Sequence, residues 1–139
     1  MTFRRLLFVC ALVNALPLFA GAFLPFSDLP EHVAAIAALA HFHDPAWRIA
    51  EHYTFALGES QYLLYHLAGA ALSLVVGTAE RANLILLAAT AIAWPYAMRA
   101  LLRALGRDER LALFACPLFW NHALVIGLLP FVASVPLVV

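Results

Sequence analysis

Two stretches of this chain, residues 6–24 and residues 111–139, carry no formal charge over lengths typical of a lipid environment. The first has nineteen residues, and a helix of that length nearly crosses the roughly 30 Å hydrocarbon core of a bilayer. Of all 139 residues, 65% are hydrophobic and 12% are charged, and the mean hydropathy is +0.92. Soluble domains carry about a quarter charged residues. We therefore predict an all-α, polytopic transmembrane protein, forming a single membrane domain over residues 1–139.

The charge balance and the cysteines exclude several other classes of protein. Eight arginines, no lysine and eight acidic residues give a formal net charge of zero, so no basic excess is present to hold nucleic-acid phosphates. Cys10 and Cys116 lie within apolar runs and are typical of buried hydrophobic residues, which does not support a disulfide or zinc framework. The high apolar content also excludes disorder.

Residues 6–24 are predicted to form the first transmembrane helix. Arg4 and Arg5 precede this run, and the positive-inside rule then places the N-terminus in the cytoplasm. The same pattern is also typical of a cleavable signal peptide, with the small residues 20–22 as its cleavage site. The later apolar segments favour an uncleaved anchor.

Residues 25–60 differ in character, with five acidic residues, one arginine and four of the six histidines. A segment so acidic and so poor in arginine is expected outside the membrane. A helix is predicted over residues 28–43, because Ser27 or Asp28 can cap it and Pro30 fits its first turn. Its apolar residues fall on one side, so we expect this juxtamembrane helix to lie on the outer membrane surface.

The number of membrane crossings depends on residues 61–77, which as a helix would reach about 25 Å. If this helix crosses, three arginines lie inside and five outside; if it lies half-buried in the outer interface, six lie inside and two outside. The positive-inside rule favours the half-buried helix, although a short crossing helix stays open. Transmembrane helices are further predicted at residues 84–104 and 111–130, joined by the polar turn 105–110.

The strongest candidate for chemistry follows the first span, in the sequence Pro-Phe-Ser-Asp-Leu-Pro-Glu-His of residues 25–32. Asp28 can act there as a general base or hold a divalent cation, while an ordinary helix cap is the competing interpretation. Arg81 faces the same side if residues 61–77 do not cross, and its fork of donors suits a phosphate, with a headgroup anchor as the alternative. Glu31 and His32 complete the candidate substrate-binding residues.

Other polar residues receive structural interpretations. His41, His43 and Asp44 contain ligand types for zinc or copper, but their spacing favours exposed histidines at an interface, so no metal site is predicted. Polar residues inside apolar helices are more typical of hydrogen bonds between helices. This group consists of Asn14, His66, Asn121 and His122.

The order of these elements resembles the N-terminal part of the GT-C class of multi-pass membrane glycosyltransferases, which includes protein mannosyltransferases and aminoarabinose transferases. The similar features begin with the Arg-Arg anchored span, the acid in Pro-Phe-Ser-Asp-Leu-Pro-Glu-His and an external loop with surface helices. They continue with a Tyr-Leu-Leu-Tyr-His-Leu-Ala helix that ends at Gly77 before Arg81, and a span closed by Leu-Gly-Arg-Asp-Glu-Arg-Leu-Ala-Leu. The resemblance extends over nearly all of this chain, but over only the first quarter to third of such a family member.

The resemblance implies an inverting transfer of sugar from a polyprenyl-phosphate donor on the external membrane face. It implies that Asp28 activates the acceptor or binds a divalent metal ion, and that Arg81 holds the lipid phosphate. The residue usage indicates a bacterial source, and hence the cytoplasmic (inner) membrane.

The end of the chain at Pro-Leu-Val-Val has no polar flank, which predicts that the sequence is the front of a longer protein. The 139 residues alone are then expected to be inactive, so the chain's standing as an enzyme stays open. The alternative function is a small non-catalytic multi-pass membrane protein, a subunit or scaffold that packs its polar span residues against a partner membrane protein.

Overall fold

The computed structural model describes residues 2–21, 24–54, 56, 58 and 62–138, and every regular element within them is helical, which confirms the all-α prediction. The chain forms two compact units: a first unit of Met1–Asp28 with Leu86–Val139, and a second unit of Leu29–Ile85. Two 3₁₀ helices cover Leu16–Phe19 and Glu109–Phe114. The α-helices are α1 (Phe3–Ala15), α2 (Leu29–Ala40), α3 (Ile49–His52), α4 (Leu63–Val76), α5 (Ala79–Ala104), α6 (Ala115–Phe119), α7 (His122–Val125) and α8 (Leu129–Val138).

Among the described residues, α5 is the one helix that is long and apolar enough to cross a membrane. Its 26 residues reach about 39 Å, and only 28% of its most apolar 18-residue window is buried. A core helix of a soluble protein with this composition would be mostly covered by other helices. The exposed apolar surface of α5 therefore supports association with a membrane.

The first apolar run is divided near Pro17. In place of one helix over residues 6–24, α1 begins at Phe3 and ends at Ala15, and the 3₁₀ helix Leu16–Phe19 follows. Proline lacks the N–H of the helical ladder and its ring clashes with the preceding turn, which favours a break in the α-helix at this point. Residues 22 and 23 lie outside the described part of the chain.

The stretch predicted as one membrane helix over residues 111–130 is a series of short helices instead. Asn121 begins α7, where its side-chain oxygen accepts a hydrogen bond from the N–H of Leu124 at 3.2 Å. Gly127 follows the end of α7 with a φ of +90°, a conformation that glycine adopts without a steric penalty. A capping asparagine and a left-handed glycine within this apolar run therefore interrupt the predicted span.

The first unit packs α1 against α6 and against the 3₁₀ helix Glu109–Phe114. Its interior is formed mainly by apolar side chains. The fully buried side chains of this unit include Leu7, Leu18, Leu87, Phe119, Leu124 and Leu129.

In the second unit, α2 packs along α4. Ile36 is fully buried at this contact and lies against Gly69, where an added Cβ would come within 2.5 Å of its side chain. The observed α2 ends at Ala40, before the limit of the predicted helix at residue 43, and residues 41–43 form a turn. Gly77, with a φ of +91°, ends α4 close to its predicted limit, while residue 61 lies outside the described residues.

Candidate functional site

Asp28 is half-buried in the first unit, immediately before α2. The preceding residue, Ser27, donates its backbone N–H to the carbonyl of Val125 at 3.1 Å. Gly127 also lies directly against Asp28: a Cβ on this glycine would be 2.8 Å from the Cβ of Asp28 and closer still to its backbone nitrogen. The turn after α7 therefore packs directly against the backbone of Asp28.

Gly127 was missed as a site residue by sequence reasoning. The sequence Ile-Gly-Leu within an apolar run marks a break in a helix, but it does not say which residue the turn will touch. That contact joins residues far apart in sequence, so it becomes visible only in the folded chain.

Glu31 and His32 lie in the first turn of α2, and they differ in exposure. Glu31 is exposed, and its carboxylate lies near the positive end of the helix, where a negative charge is favourable. His32 is only 8% exposed and points into the second unit. Of these two substrate-binding candidates, Glu31 is therefore the accessible one.

The buried ring of His32 forms a hydrogen bond with His66 of α4, with 2.9 Å between Nδ1 of His32 and Nε2 of His66. This confirms the prediction that His66 bonds between helices. The rings of Tyr62 and Tyr65 meet His32 edge-on, with centroids 6.4 and 6.0 Å away. Tyr65 in turn donates its hydroxyl hydrogen to the side-chain oxygen of Asn83 in α5 at 2.7 Å.

Burial lowers the pKa of His66, and the nearby charge of a protonated His32 lowers that pKa further. Both causes favour the neutral imidazole, because a charged ring loses hydration when it is buried and is repelled by a second cation. Burial raises the pKa of Tyr65, so this phenol stays protonated at ordinary pH. Within the described part of the chain, the aromatic rings of Tyr62 and Tyr65 thus lie against His32 of this pair.

Arg81 lies exposed in the first turn of α5. Its backbone N–H donates to the hydroxyl oxygen of Thr78 at 3.2 Å, and its guanidinium reaches the carbonyl of Val76 at 3.5 Å. No carboxylate of the described residues forms an ion pair with it, whereas Arg48 and Arg99 bind Glu51 and Glu109. Apart from the contact with Val76, the guanidinium of Arg81 therefore keeps its donors available for an anion.

The histidines that follow α2 form aromatic and ionic contacts. His41 stacks on Trp47 with centroids 4.4 Å apart and lies 3.5 Å from the carboxylate of Asp44. Within the described ranges, no group of three or more His, Cys, Asp or Glu side chains could hold a metal ion. The residue types that suggested zinc or copper are thus accounted for here by packing at an aromatic turn.

The second unit contains an open apolar groove of about 550 Å³ beside α2, which sequence reasoning also missed. Small side chains of α2 form one wall, and His66 contributes a polar ring. The signal that could have indicated it is the alanine-rich sequence of α2 followed by aromatic residues. The larger lining side chains are Leu39, Phe42, Trp47, Ile49, Tyr53 and Leu63.

The polar residues of the apolar runs in the first unit serve its own packing. Asn14 donates its side-chain N–H to the carbonyl of Ala91 at 3.0 Å and accepts the indole N–H of Trp120 at 2.9 Å. Trp94 donates its indole N–H to the carbonyl of Val132 at 3.1 Å. His122, in contrast, is exposed.

No known family model, curated protein or solved structure matches this chain. The fold itself defines a helical protein whose described residues include one apolar helix of membrane-spanning length.

Proposed function

We propose that this chain is a polytopic protein of the bacterial inner membrane, with its N-terminus in the cytoplasm and residues 25–60 outside. α5 supports this proposal because it is long, apolar and mostly uncovered. α1 adds a second apolar surface, on which Phe8, Leu12 and Val13 are exposed, and lipid covers such a surface more favourably than water does. α2 and α4 are assigned to the outer interface, because the positive-inside rule favours a segment 61–77 that does not cross, with six arginines inside and two outside.

Labelling of introduced cysteines tests this topology. In a chain whose Cys10 and Cys116 are replaced by alanine, Ala46→Cys places an exposed thiol before α3 and Ala104→Cys places one at the end of α5. A membrane-impermeant maleimide added to intact cells is expected to label position 46, and to label position 104 only after the membrane is opened. Labelling of both thiols in intact cells, or the reverse pattern, contradicts the proposed orientation.

We propose further that the chain forms part of a glycosyltransferase that uses a polyprenyl-phosphate sugar donor. The observation that carries this proposal is the close packing of Asp28 against Gly127, because a catalytic base must be held within hydrogen-bond reach of its acceptor. Asp28 takes the proton of an acceptor hydroxyl or amine, which attacks the anomeric carbon of the sugar. The bond from that carbon to the phosphate oxygen breaks, and polyprenyl phosphate leaves.

The assigned role of Arg81 is to stabilise the negative charge of the departing phosphate. Its guanidinium is exposed and forms no ion pair with a described carboxylate, so the donors that do not reach the carbonyl of Val76 are available for an oxyanion. Exposed Glu31 is the second residue assigned to substrate binding. Among the described residues, Asp28 belongs to no group of three or more His, Cys, Asp or Glu side chains that could hold a metal ion.

Asp28→Asn in the intact protein, assayed in its native membrane, tests the catalytic role. Asparagine caps a helix about as well as aspartate, so protein abundance is expected to stay unchanged, while loss of a general base lowers sugar transfer by roughly 10²–10⁴-fold. Asp108→Asn is the matched control, because Asp108 caps the 3₁₀ helix Glu109–Phe114 by accepting the N–H of Arg110 at 2.9 Å. Transfer that survives Asp28→Asn, or that falls equally in the control, would show that Asp28 is only a cap.

The alternative proposal is a non-catalytic subunit or scaffold, and exposed His122 is the feature that favours it. Asn14 does not support the idea of a partner protein, since its side chain forms hydrogen bonds with Ala91 and Trp120 within the first unit. Purification in mild detergent distinguishes the two functions. A membrane protein that copurifies in fixed ratio and is lost in His122→Leu supports the subunit, whereas sugar transfer that depends on Asp28 supports the enzyme.

A further inference from the structure

Pro95 of α5 and Pro136 of α8 lie in the interior of their helices. In an α-helix the N–H of each residue donates to the carbonyl four residues earlier, and proline has no N–H. Pro95 therefore removes the helical donor of the Ala91 carbonyl, and Pro136 removes that of the Val132 carbonyl. Ala91 and Val132 are both buried, and a buried carbonyl without a donor destabilises a fold. Each proline thus creates a need for a donor from elsewhere in the protein.

A side chain from another helix donates to each of these two carbonyls. Asn14 of α1 donates its side-chain N–H to the carbonyl of Ala91 at 3.0 Å. Trp94 of α5 donates its indole N–H to the carbonyl of Val132 at 3.1 Å. The two hydrogen bonds therefore reach the two carbonyls that the prolines leave open, and they join α1 to α5 and α5 to α8.

Two further prolines of the first unit, Pro17 and Pro117, remove a helical donor in the same way but receive a local replacement. The carbonyl of Val13, four residues before Pro17, accepts the N–H of the residue three positions after it. The carbonyl of Leu113, four residues before Pro117, accepts the N–H of the residue two positions after it. Pro17 follows the end of α1, and Pro117 lies in the first turn of α6. A donor from a different helix is therefore found where an α-helix continues through the proline.

Hydrogen bonds of this kind can select which helix surfaces meet in a membrane. Apolar side chains gain little by leaving lipid for one another, so the hydrophobic effect does not choose between neighbouring helices there. The bilayer core also contains no water that could satisfy an open carbonyl. A helix that leaves its neighbour would therefore expose a polar group that neither lipid nor its own hydrogen-bond ladder can satisfy.

We propose that the two interior prolines form two locks between helices, in which the carbonyl opened by each proline binds one side chain of a neighbouring helix. The first lock consists of Pro95, Ala91 and Asn14, and fixes α1 on α5. It extends to the end of α6, because Asn14 also accepts the indole N–H of Trp120 at 2.9 Å. The second lock consists of Pro136, Val132 and Trp94, and fixes α8 on α5. This inference rests on the proposed membrane location and does not depend on glycosyltransferase activity.

The indole N–H resonances of the full ¹⁵N-labelled chain in lipid nanodiscs test the second lock, since the sequence contains only three tryptophans. Pro136→Ala gives α8 an N–H that can donate to the carbonyl of Val132 along the helix. The indole proton of Trp94 is then expected to lose its hydrogen bond, and its resonance should move upfield, because a hydrogen bond deshields the proton it involves. The resonance of exposed Trp47 should stay in place.

Pro130→Ala is the matched control variant for the second lock. Pro130 belongs to the same helix, but it lies in the first turn, where a missing N–H opens no helical hydrogen bond. The Trp94 resonance is expected to stay at its native position in this variant. An unchanged Trp94 resonance in Pro136→Ala, or an equal shift in Pro130→Ala, overturns the second lock.

The first lock is tested by a double-mutant cycle of unfolding equilibrium constants, measured for the full chain in detergent micelles. Asn14→Leu is expected to raise this constant by about fivefold to 150-fold in the native chain. The rise should be clearly smaller in Pro95→Ala, because this variant gives the carbonyl of Ala91 a donor from α5 itself. Pro136→Ala is the matched control, in which Asn14→Leu should act as strongly as in the native chain.

An equal effect of Asn14→Leu in the native and Pro95→Ala chains overturns the first lock. If Pro95→Ala fails to fold because of the cavity it leaves, Pro95→Val supplies the same N–H with a larger side chain, and the same cycle decides. None of these measurements uses sugar transfer or the orientation of the chain, so the locks and the proposed function can fail separately.

Discussion

The contact between Gly127 and Asp28 can be tested with two glycines that share one backbone conformation. Gly127 has a φ of +90° and Gly77 a φ of +91°, and each follows the end of a short helix. A Cβ on Gly77 would meet nothing within 4 Å, whereas one on Gly127 would meet the backbone and the Cβ of Asp28. Alanine at Gly77 therefore measures the backbone cost alone, and alanine at Gly127 measures the same cost plus the contact.

The expected magnitudes follow from these two terms. A left-handed alanine costs about 1–2 kcal/mol relative to glycine, so Gly77→Ala should lower the free energy of unfolding by about that amount. Overpacking adds about 1–3 kcal/mol where neighbours cannot move aside. The atoms that the new Cβ meets at Asp28 are backbone and side-chain stem, which cannot rotate away. Gly127→Ala should therefore lower the free energy of unfolding by about 2–5 kcal/mol in total.

The assay is denaturant unfolding of the full chain in detergent micelles, followed by far-UV circular dichroism. A midpoint clearly lower for Gly127→Ala than for Gly77→Ala is expected. Gly127→Ala should also lower any sugar-transfer activity, because the new Cβ would displace Asp28 from its position beside the turn. Equal destabilisation by the two substitutions would refute the contact and, with it, the argument that the turn after α7 positions Asp28.

Two further substitutions test the packing of each unit. Gly69→Ala gains about 1 kcal/mol of helix propensity but places a Cβ within 2.5 Å of Ile36. In a double-mutant cycle of unfolding free energies, Ile36→Ala should therefore destabilise the Gly69→Ala chain clearly less than it destabilises the native chain. Additive effects of the two substitutions would contradict the close packing of Ile36 on Gly69. Asn14→Leu should lower the free energy of unfolding by about 1–3 kcal/mol, because it leaves the buried carbonyl of Ala91 and the indole N–H of Trp120 unsatisfied. The same assay should show no change for exposed His122→Leu. Equal effects of the two substitutions would argue against the stabilising role of the two hydrogen bonds of Asn14.

Much of the secondary structure could be predicted from the sequence, because helices depend on local patterns. The apolar run of α5 predicts a helix without tertiary information, and the observed helix contains the whole predicted range 84–104 but begins five residues earlier, at Ala79. The interruptions within the apolar helices were harder to predict. Pro17 and Asn121 were visible in the sequence, yet the uncharged character of both runs favoured continuous helices at residues 6–24 and 111–130.

Individual site residues could be listed from the sequence, but not their partners. Residue type and helix position made Asp28, Glu31 and Arg81 candidates, and the position of a histidine within an apolar helix predicted that His66 bonds between helices. The partner of His66, His32, lies 34 residues away in the sequence, and the hydrogen bond from Trp120 to Asn14 joins residues that are 106 apart. No local pattern encodes such a distance.

The sequence by itself predicted an apolar, all-helical chain and the approximate starts of α2 and α4, since hydropathy and capping act over a few neighbouring residues. Only the tertiary structure decided which side chains meet. Gly127 supports Asp28, and His32 is turned inward while Glu31 beside it faces out, because packing selects among contacts that the sequence allows equally. The chemistry proposed for this chain depends on both levels: a carboxylate that the sequence makes noticeable, and a glycine turn that folding brings against it.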